Sequence, residues 1–266
     1  MTPPDHPREE ARHAPRRRDT EDPRRNLILR ALPDEEYERL RPALRPVTLQ
    51  VRDQLYRRDG DIDAVYFPVD GVLSVVASVD GEPAVEVATV GYEGVSGLPV
   101  FLGAATSPHD CFCQVAGDAL CLPTADLRRF LSDDGALHDL LHRYTQTMVV
   151  QLSQNVACNR LHSTEERCAR WLLQTRDRVG ANEFQLTQDF LGQMLGVRRG
   201  TVSLVAGLLQ QAGLIRYSRG RITVVDPEHL HEAACECYDV VQAENRRVGL
   251  VPEPPDGATT GHSPGD

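Results

Sequence analysis

The chain of 266 residues has no lysine; all 29 of its basic residues are arginine, a bias we read as compositional drift without mechanism. It also lacks any apolar run approaching the ~20 residues of a membrane-spanning helix, so no membrane partner is expected. The first 26 residues are rich in Arg and Pro and contain no apolar h-region. That argues against a secretory signal and makes the cytoplasm the expected compartment. Seven cysteines, an odd number in such a chain, do not read as a disulfide framework. Enzyme signatures are missing too: residues 27–131 hold one histidine, His109, too few for the ligand set of a metal-dependent cupin. There is no Gly-rich phosphate loop and no nucleophile elbow. A non-enzymatic role with no required cofactor is expected.

What is present is a globular composition, 41% hydrophobic and 26% charged, long enough for two medium domains. The net charge of −10 excludes indiscriminate coating of nucleic acid, but it is unevenly placed. Residues 160–225 carry 10 Arg against 5 acids, whereas residues 27–159 carry 10 Arg against 19. The basic stretch contains LTQDFLGQMLGVRRGTVSLVAGLLQQAGL, Leu186 to Leu214. It reads as two helices about a tight turn. Leu191, Leu195, Val197, Val202 and Val205 fall where the helices would pack, Gly192 is small at their crossing, and Gly196 can supply the positive φ of the turn. An ordinary α-hairpin in a core is the bland alternative. A local basic surface on an acidic protein suits specific binding to double-stranded DNA.

The rest of the chain is predicted as follows. Residues 1–26 are a polar, disordered tail. Two short helices cover Asn26 to Leu44. Runs of β-branched residues at Val47–Val51, Ala64–Val69, Val72–Val79, Ala84–Val90, Phe112–Val115 and Ala119–Leu122 are strands, with Asp70-Gly71 and Asp80-Gly81 as hairpin turns. Together they predict an antiparallel, jelly-roll-like domain over 27–132. A short helix starts at Pro123. A long one follows over 133–160, its apolar stripe running through Leu137, Leu140, Leu141, Tyr144, Met148, Val149, Leu152 and Val156 for roughly 37 Å. A second copy of the helix is the natural partner for that stripe, with Leu137, Leu141, Tyr144, Met148, Leu152 and Val156 at the dimer seam; packing on the barrel is the alternative. Gln151, Asn155 and Asn159 would then fix its register. Ser163 to Glu166 is a capping box opening a helix that ends at Gly180. After the helix pair, Leu214–Tyr217 and Arg221–Val225 form two strands about a turn, a wing. Residues 161–240 make this second domain, and 241–266 a flexible, acidic tail.

A β-roll, a long helix and a winged helix-turn-helix in this order resemble the Crp/Fnr family of bacterial transcription regulators. The resemblance covers about residues 27–240, most specifically Leu186–Thr223 and Ala84–Gly103. It implies an α+β protein with an antiparallel β-roll sensor, a long dimerisation helix and a reader of inverted-repeat operators. It further implies a homodimer, with RNA polymerase a partner if the outcome is activation. The family's recognition helix commonly reads Arg-Glu-Thr-Val-x-Arg. Here Arg199, Gly200, Thr201, Val202, Ser203 and Leu204 stand in those positions, so the family's best-known operator is not expected. Arg198 and Arg199 suit bidentate contacts to guanine, and Thr201 and Ser203 can reach base edges or phosphates. Thr187, Gln188 and the wing residues Arg219 and Arg221 complete the candidate DNA-binding set, with Thr187 and the wing arginines as phosphate anchors. For each arginine the alternative is a solvated surface charge.

Cyclic-nucleotide-binding members pair a Gly-Glu with an Arg-Ser some ten residues on. Here Gly97 is followed by Leu98, and no arginine lies between Arg58 and Arg128. A cyclic phosphate would lack its guanidinium, which argues against cyclic AMP. Glu93, Gly94, Gly97, His109 and Asp110 remain the candidate effector pocket, its ligand unknown; turn and rim residues are the bland reading. The first cysteine is Cys111, so the family's N-terminal iron–sulfur cluster is not supported, and haem would have His109 alone in the β-roll as ligand. His229, His231, Cys235 and Cys237 are metal-ligand types within nine residues. If helical, they put His231 and Cys235 on one face and Cys235 and Cys237 apart. The thiols of Cys111 and Cys113 are expected on opposite faces of a strand. The leading reading is a homodimeric regulator with an effector in the β-roll. The alternative is an effector-independent, or thiol- or metal-responsive, regulator whose β-roll is a scaffold or a docking module for another protein.

Overall fold

The computed structural model describes residues 22–78, 84–131 and 135–249. Helices α1 (Leu27–Ala31) and α2 (Asp34–Leu40) come first. Asn26, fully buried, caps α1 by accepting from the N–H groups of Ile28 and Leu29, and its amide donates to the carbonyls of Pro68 and Gly94. Order therefore begins ahead of residue 27, inside the segment predicted as a disordered tail; residues 1–21 of that segment lie outside the described residues.

The β-roll is built from β1 (Arg45–Leu49), β2 (Gln54–Tyr56), β3 (Ala64–Pro68), β4 (Val72–Ala77), β5 (Val85–Val90), β6 (Asp110–Val115) and β7 (Gly117–Pro123), with a one-turn helix α3 (Leu98–Phe101) before β6. They form two antiparallel sheets, ordered β1-β7-β3 and β2-β6-β4-β5. The Asp70-Gly71 turn joins β3 to β4, which lie in different sheets, so it is a corner and not the predicted hairpin. Gly71 sits at φ +77°, and a Cβ there would fall 2.6 Å from the Val115 carbonyl oxygen. Asp80-Gly81 lies outside the described residues. Phe67, Leu73, Cys111, Leu120 and Leu122 fill the interior, with α4 (Thr124–Leu131) contributing Leu127.

The long helix α5 (Ala136–Leu161) starts against α2, where the Glu36 carboxylate accepts from the N–H groups of Ala136 and Leu137 and complements the positive end of the helix. Its apolar stripe divides in two. Leu137, Leu141, Tyr144 and Met148 are buried in the core of the chain's own β-roll, which corrects their assignment to a dimer seam. Leu152 and Val156 of the same stripe are exposed. Gln151 and Asn155 do not set a dimer register either. Gln151 accepts from the Thr89 N–H and Asn155 donates to the Val87 carbonyl, so they satisfy the open edge of β5.

Helix α6 (Thr164–Val179) opens with the predicted capping box, Ser163 and Glu166 bonding reciprocally, and closes on Gly180 at φ +65°. The second domain continues with β8 (Glu183–Gln185), α7 (Gln188–Leu195), α8 (Arg199–Gln211), β9 (Ile215–Ser218) and β10 (Arg221–Val224); the wing sheet is ordered β8-β10-β9. Helices α9 (Pro227–Glu232) and α10 (Cys237–Arg247) follow. The predicted tail from residue 241 is helical to Arg247, because Val241 and Asn245 are buried where α10 packs along α5.

The two domains are closely packed. Val72, Val76 and Val115 of the β-roll share a core with Trp171, Phe190 and Met194 of α6 and α7. Trp171 Nε1, Ser74 Oγ and Gln114 Nε2 all donate to the Glu86 carboxylate, at 2.9, 2.7 and 2.6 Å. Nearby, Arg178 of α6 forms an ion pair of 2.8 Å with Glu93, both side chains 7% exposed, and donates to the Thr89 hydroxyl. Among the described residues, no helix is long and apolar enough to cross a membrane.

Candidate nucleic-acid interface

Helices α7 and α8 meet as their sequence requires. Leu191, Leu195, Val202 and Val205 are buried between them, and a Cβ on Gly192 would lie 2.9 Å from the Val197 carbonyl oxygen. Gly196 ends α7 at φ +65°. Thr187 caps α7 by accepting from the Phe190 N–H, which fixes its hydroxyl at the helix start.

This packing turns one face of α8 outward. Arg198 is the N-cap residue of α8 and Arg199 its first residue, both exposed; Gly200 and Ser203 follow on the same side, with Thr201 half-buried. Arg199 lies 3.5 Å from Asp189, both side chains 67% exposed, a pair too solvated to hold it back from a stronger anion. Ser203 donates to Gln188 Oε1 at 2.8 Å, joining two predicted contact residues across the helix pair. Leu204 and Leu208 are 65% and 41% exposed on α8. Leu208 was not singled out in the sequence, although its i, i+4 spacing from Leu204 carries the signal.

The wing tip is Arg219, at φ +51°, beside Gly220 at φ +73°. Arg221 pairs with Glu183 of β8 at 2.9 Å. With Thr187, Arg219 and Arg221 line a cleft of about 370 Å³ whose other wall is Val51 and Arg52 of the β1–β2 turn. The wing face with these residues thus borders the β-roll, whereas the α8 face is open.

The candidate effector residues are not gathered around one ligand. Glu93 is bound to Arg178. A Cβ on Gly94 would sit 2.4 Å from the Tyr144 hydroxyl, so Gly94 makes room for α5. Gly97 turns at φ +77° against Val65. At the start of β6, Asp110 accepts from the Arg58 N–H and His109 donates its N–H to Ser107 Oγ. The interior between these positions is occupied by Tyr56, Phe67, Cys111 and Tyr144, all buried.

Two cysteine expectations and one for the nearby histidines change. Cys111 and Cys113 both point into the core, because residues i and i+2 share a face of a strand. Cys235 and Cys237 are both buried, because the chain between α9 and α10 is not one continuous helix. His229 and His231 are exposed and pair instead with Asp226 and Asp239.

The described residues thus form a β-roll closed by a long helix and followed by an outward-facing winged helix-turn-helix. Residues 166–233 match the family model of the Crp-like helix-turn-helix domain. No curated protein matches the chain. Solved structures share its fold: FixK2 from Bradyrhizobium japonicum aligns with a TM-score of 0.62 at 17% identity, over 72% of this chain and 98% of that one. A protein from Eubacterium rectale, assigned to the crp/fnr family of transcriptional regulators, aligns at 0.60 and 16%, over 77% and 96%. The c-di-GMP responsive global regulator CLP from Xanthomonas campestris aligns at 0.59 and 13%, over 72% and 99%. Residues 166–233 thus carry a Crp-like helix-turn-helix domain, and the chain as a whole shares the fold of these solved structures.

Proposed function

We propose that the protein is a homodimer that binds an inverted-repeat operator through α8 of each protomer. The observation that supports this best is the open face of α8: Arg198, Arg199, Ser203 and Leu204 stand exposed on a helix whose opposite face is locked into a core. Arginines at the start of a recognition helix reach guanine O6 and N7 in the major groove, and an exposed leucine suits a thymine methyl group. Thr187, Arg219 and Arg221 would hold phosphates and set the docking register. The exposed residues His142, Val149, Leu152, Val156 and Asn159, with the half-buried Thr145 between the first two, recur on α5 at alternating steps of three and four, a heptad seam that a second α5 would cover. Paired in this way, two recognition helices would address half-sites one DNA turn apart, ~34 Å.

Selection of bound sequences from random DNA tests the reading. The expected product is a two-fold symmetric site; a site without symmetry refutes the dimer. In binding assays on that site, Arg199→Ala should relax base preference at one position per half-site, by about 1–3 kcal/mol. Arg221→Ala should weaken all sequences evenly and lower the salt slope by about one. Control of DNA affinity through the β-roll is part of the proposal. A cyclic nucleotide does not suit it, since Glu93 is engaged by Arg178 and bulky side chains occupy the roll interior.

A further inference from the structure

The turn between α5 and α6 carries a cluster that DNA binding does not use. Cys158 and His162 lie one helical turn apart at the end of α5, His162 being its C-cap residue. Cys235 and Cys237 flank Glu236 where α9 gives way to α10. Cys158 Sγ is 3.5 Å from Cys235 Sγ, Cys237 Sγ is 3.4 Å from His162 Nδ1, and the four ligand atoms all lie within 4.8 Å of one another. Two segments 77 residues apart thus bring three buried sulfurs and one imidazole nitrogen to a point.

We propose that Cys158, His162, Cys235 and Cys237 bind one zinc ion that ties the C-terminal helices to the hinge between the domains. A tetrahedral zinc with sulfur at 2.3 Å and nitrogen at 2.0–2.1 Å has edges of ~3.5–3.8 Å, close to the two spacings observed. An iron–sulfur cluster would separate the sulfurs further, because several irons and bridging sulfides would stand between them. The set has four ligands, which closes the coordination shell and marks a structural site, without the open position that catalysis needs.

The surroundings suit a metal. His162 Nε2 lies 3.3 Å from the Glu236 carboxylate, which would orient the ring so that Nδ1 faces the sulfurs. Gln154 Nε2 donates to Cys237 Sγ at 3.1 Å, a bond that favours the thiolate. On binding, Zn²⁺ displaces the thiol protons of the three cysteines to solvent and no electron is transferred.

The test is metal analysis of the full chain purified under reducing conditions, with anaerobic titration of the chelated protein by Co²⁺. The expected results are one zinc per chain and the visible spectrum of tetrahedral cobalt with thiolate charge-transfer bands. Cys237→Ser should abolish both. Cys121→Ser, a thiol on β7, should keep both. Glu236→Gln should weaken zinc binding roughly ten- to a hundredfold through the misaligned imidazole. The cobalt spectrum of the unaltered chain decides the matter even if Cys237→Ser fails to fold. Absence of bound metal and of a cobalt spectrum would overturn the proposal, as would a full zinc equivalent retained by folded Cys237→Ser. A Cys158–Cys235 disulfide that persisted in the protein despite the reducing conditions, with no metal bound, would likewise overturn it. None of these readouts depends on DNA binding.

Discussion

At the scale of the residue, Arg178 shows what the sequence signalled and what it hid. Glu93, an acidic residue just ahead of Gly94, reads from the sequence as a candidate effector contact. Its partner is Arg178, 85 residues on and on a helix of the other domain, a pairing that no local pattern encodes. The same holds for the zinc ligands: Cys235 and Cys237 drew notice as neighbours, while Cys158 reaches them only through the packing of α10 on α5. By contrast, Gly192 and Gly196 were readable, because backbone contact and positive φ impose local rules that a sequence displays. The buried pair gives a prediction. Arg178→Met should leave Glu93 uncompensated and destabilise the protein by about 3–5 kcal/mol in urea titrations. Adding Glu93→Gln should recover much of that loss, since the penalty comes from a stranded charge. Equal loss in the single and double variants would show that packing of the arginine stem dominates.

At the scale of the element, α5 was legible as a long amphipathic helix but not as one with two jobs. Its apolar residues keep one period throughout, and periodicity does not say which body each turn meets. The first half is consumed by the β-roll, where Tyr144 lies against Gly94. The second half spends its polar residues on the edge of β5 and leaves Val149, Leu152 and Val156 exposed. The two halves predict opposite phenotypes. Leu141→Ala removes buried packing and should cost about 2–5 kcal/mol of stability. Leu152→Glu with Val156→Glu touches no core residue and should leave stability nearly unchanged while converting a dimer to a monomer in sedimentation velocity. If the double variant sedimented as the unaltered protein does, the heptad seam would not be the interface.

At the scale of the whole molecule, the packing of the DNA-binding domain on the β-roll is the feature with most consequence for regulation. The wing borders the β1–β2 turn, and α6 and α7 cover the outer face of β4, β5 and β6. Re-aiming two recognition helices on DNA would disturb this contact, which is where an operator could bias a two-state arrangement. The chain carries one tryptophan, and it lies in the contact: Trp171 is 4% exposed and bonded to Glu86. Operator binding should therefore shift Trp171 emission to the red if the domains part; an unchanged spectrum would mean that DNA is bound in the packed arrangement. Glu86 adds a pH dependence whose sign follows from its surroundings. Burial raises its carboxyl above the usual range, against hydrogen bonds from Ser74, Trp171 and Gln114 and the charge of Arg178 that lower it. The packed state thus holds a proton that a parted state gives up. Its advantage is full below the usual carboxylate value and is lost as pH rises through the raised one. The protonated form is also accommodated, because Gln114 Oε1 is buried without a hydrogen-bond partner and a turn of that amide would present it as an acceptor. Parting of the domains, read by Trp171 emission, should become easier as pH rises through that window. Glu86→Gln, neutral at every pH and able to donate to the turned Gln114 amide, should hold the packed state and flatten the profile. A profile that kept its slope in Glu86→Gln would assign the dependence to another group.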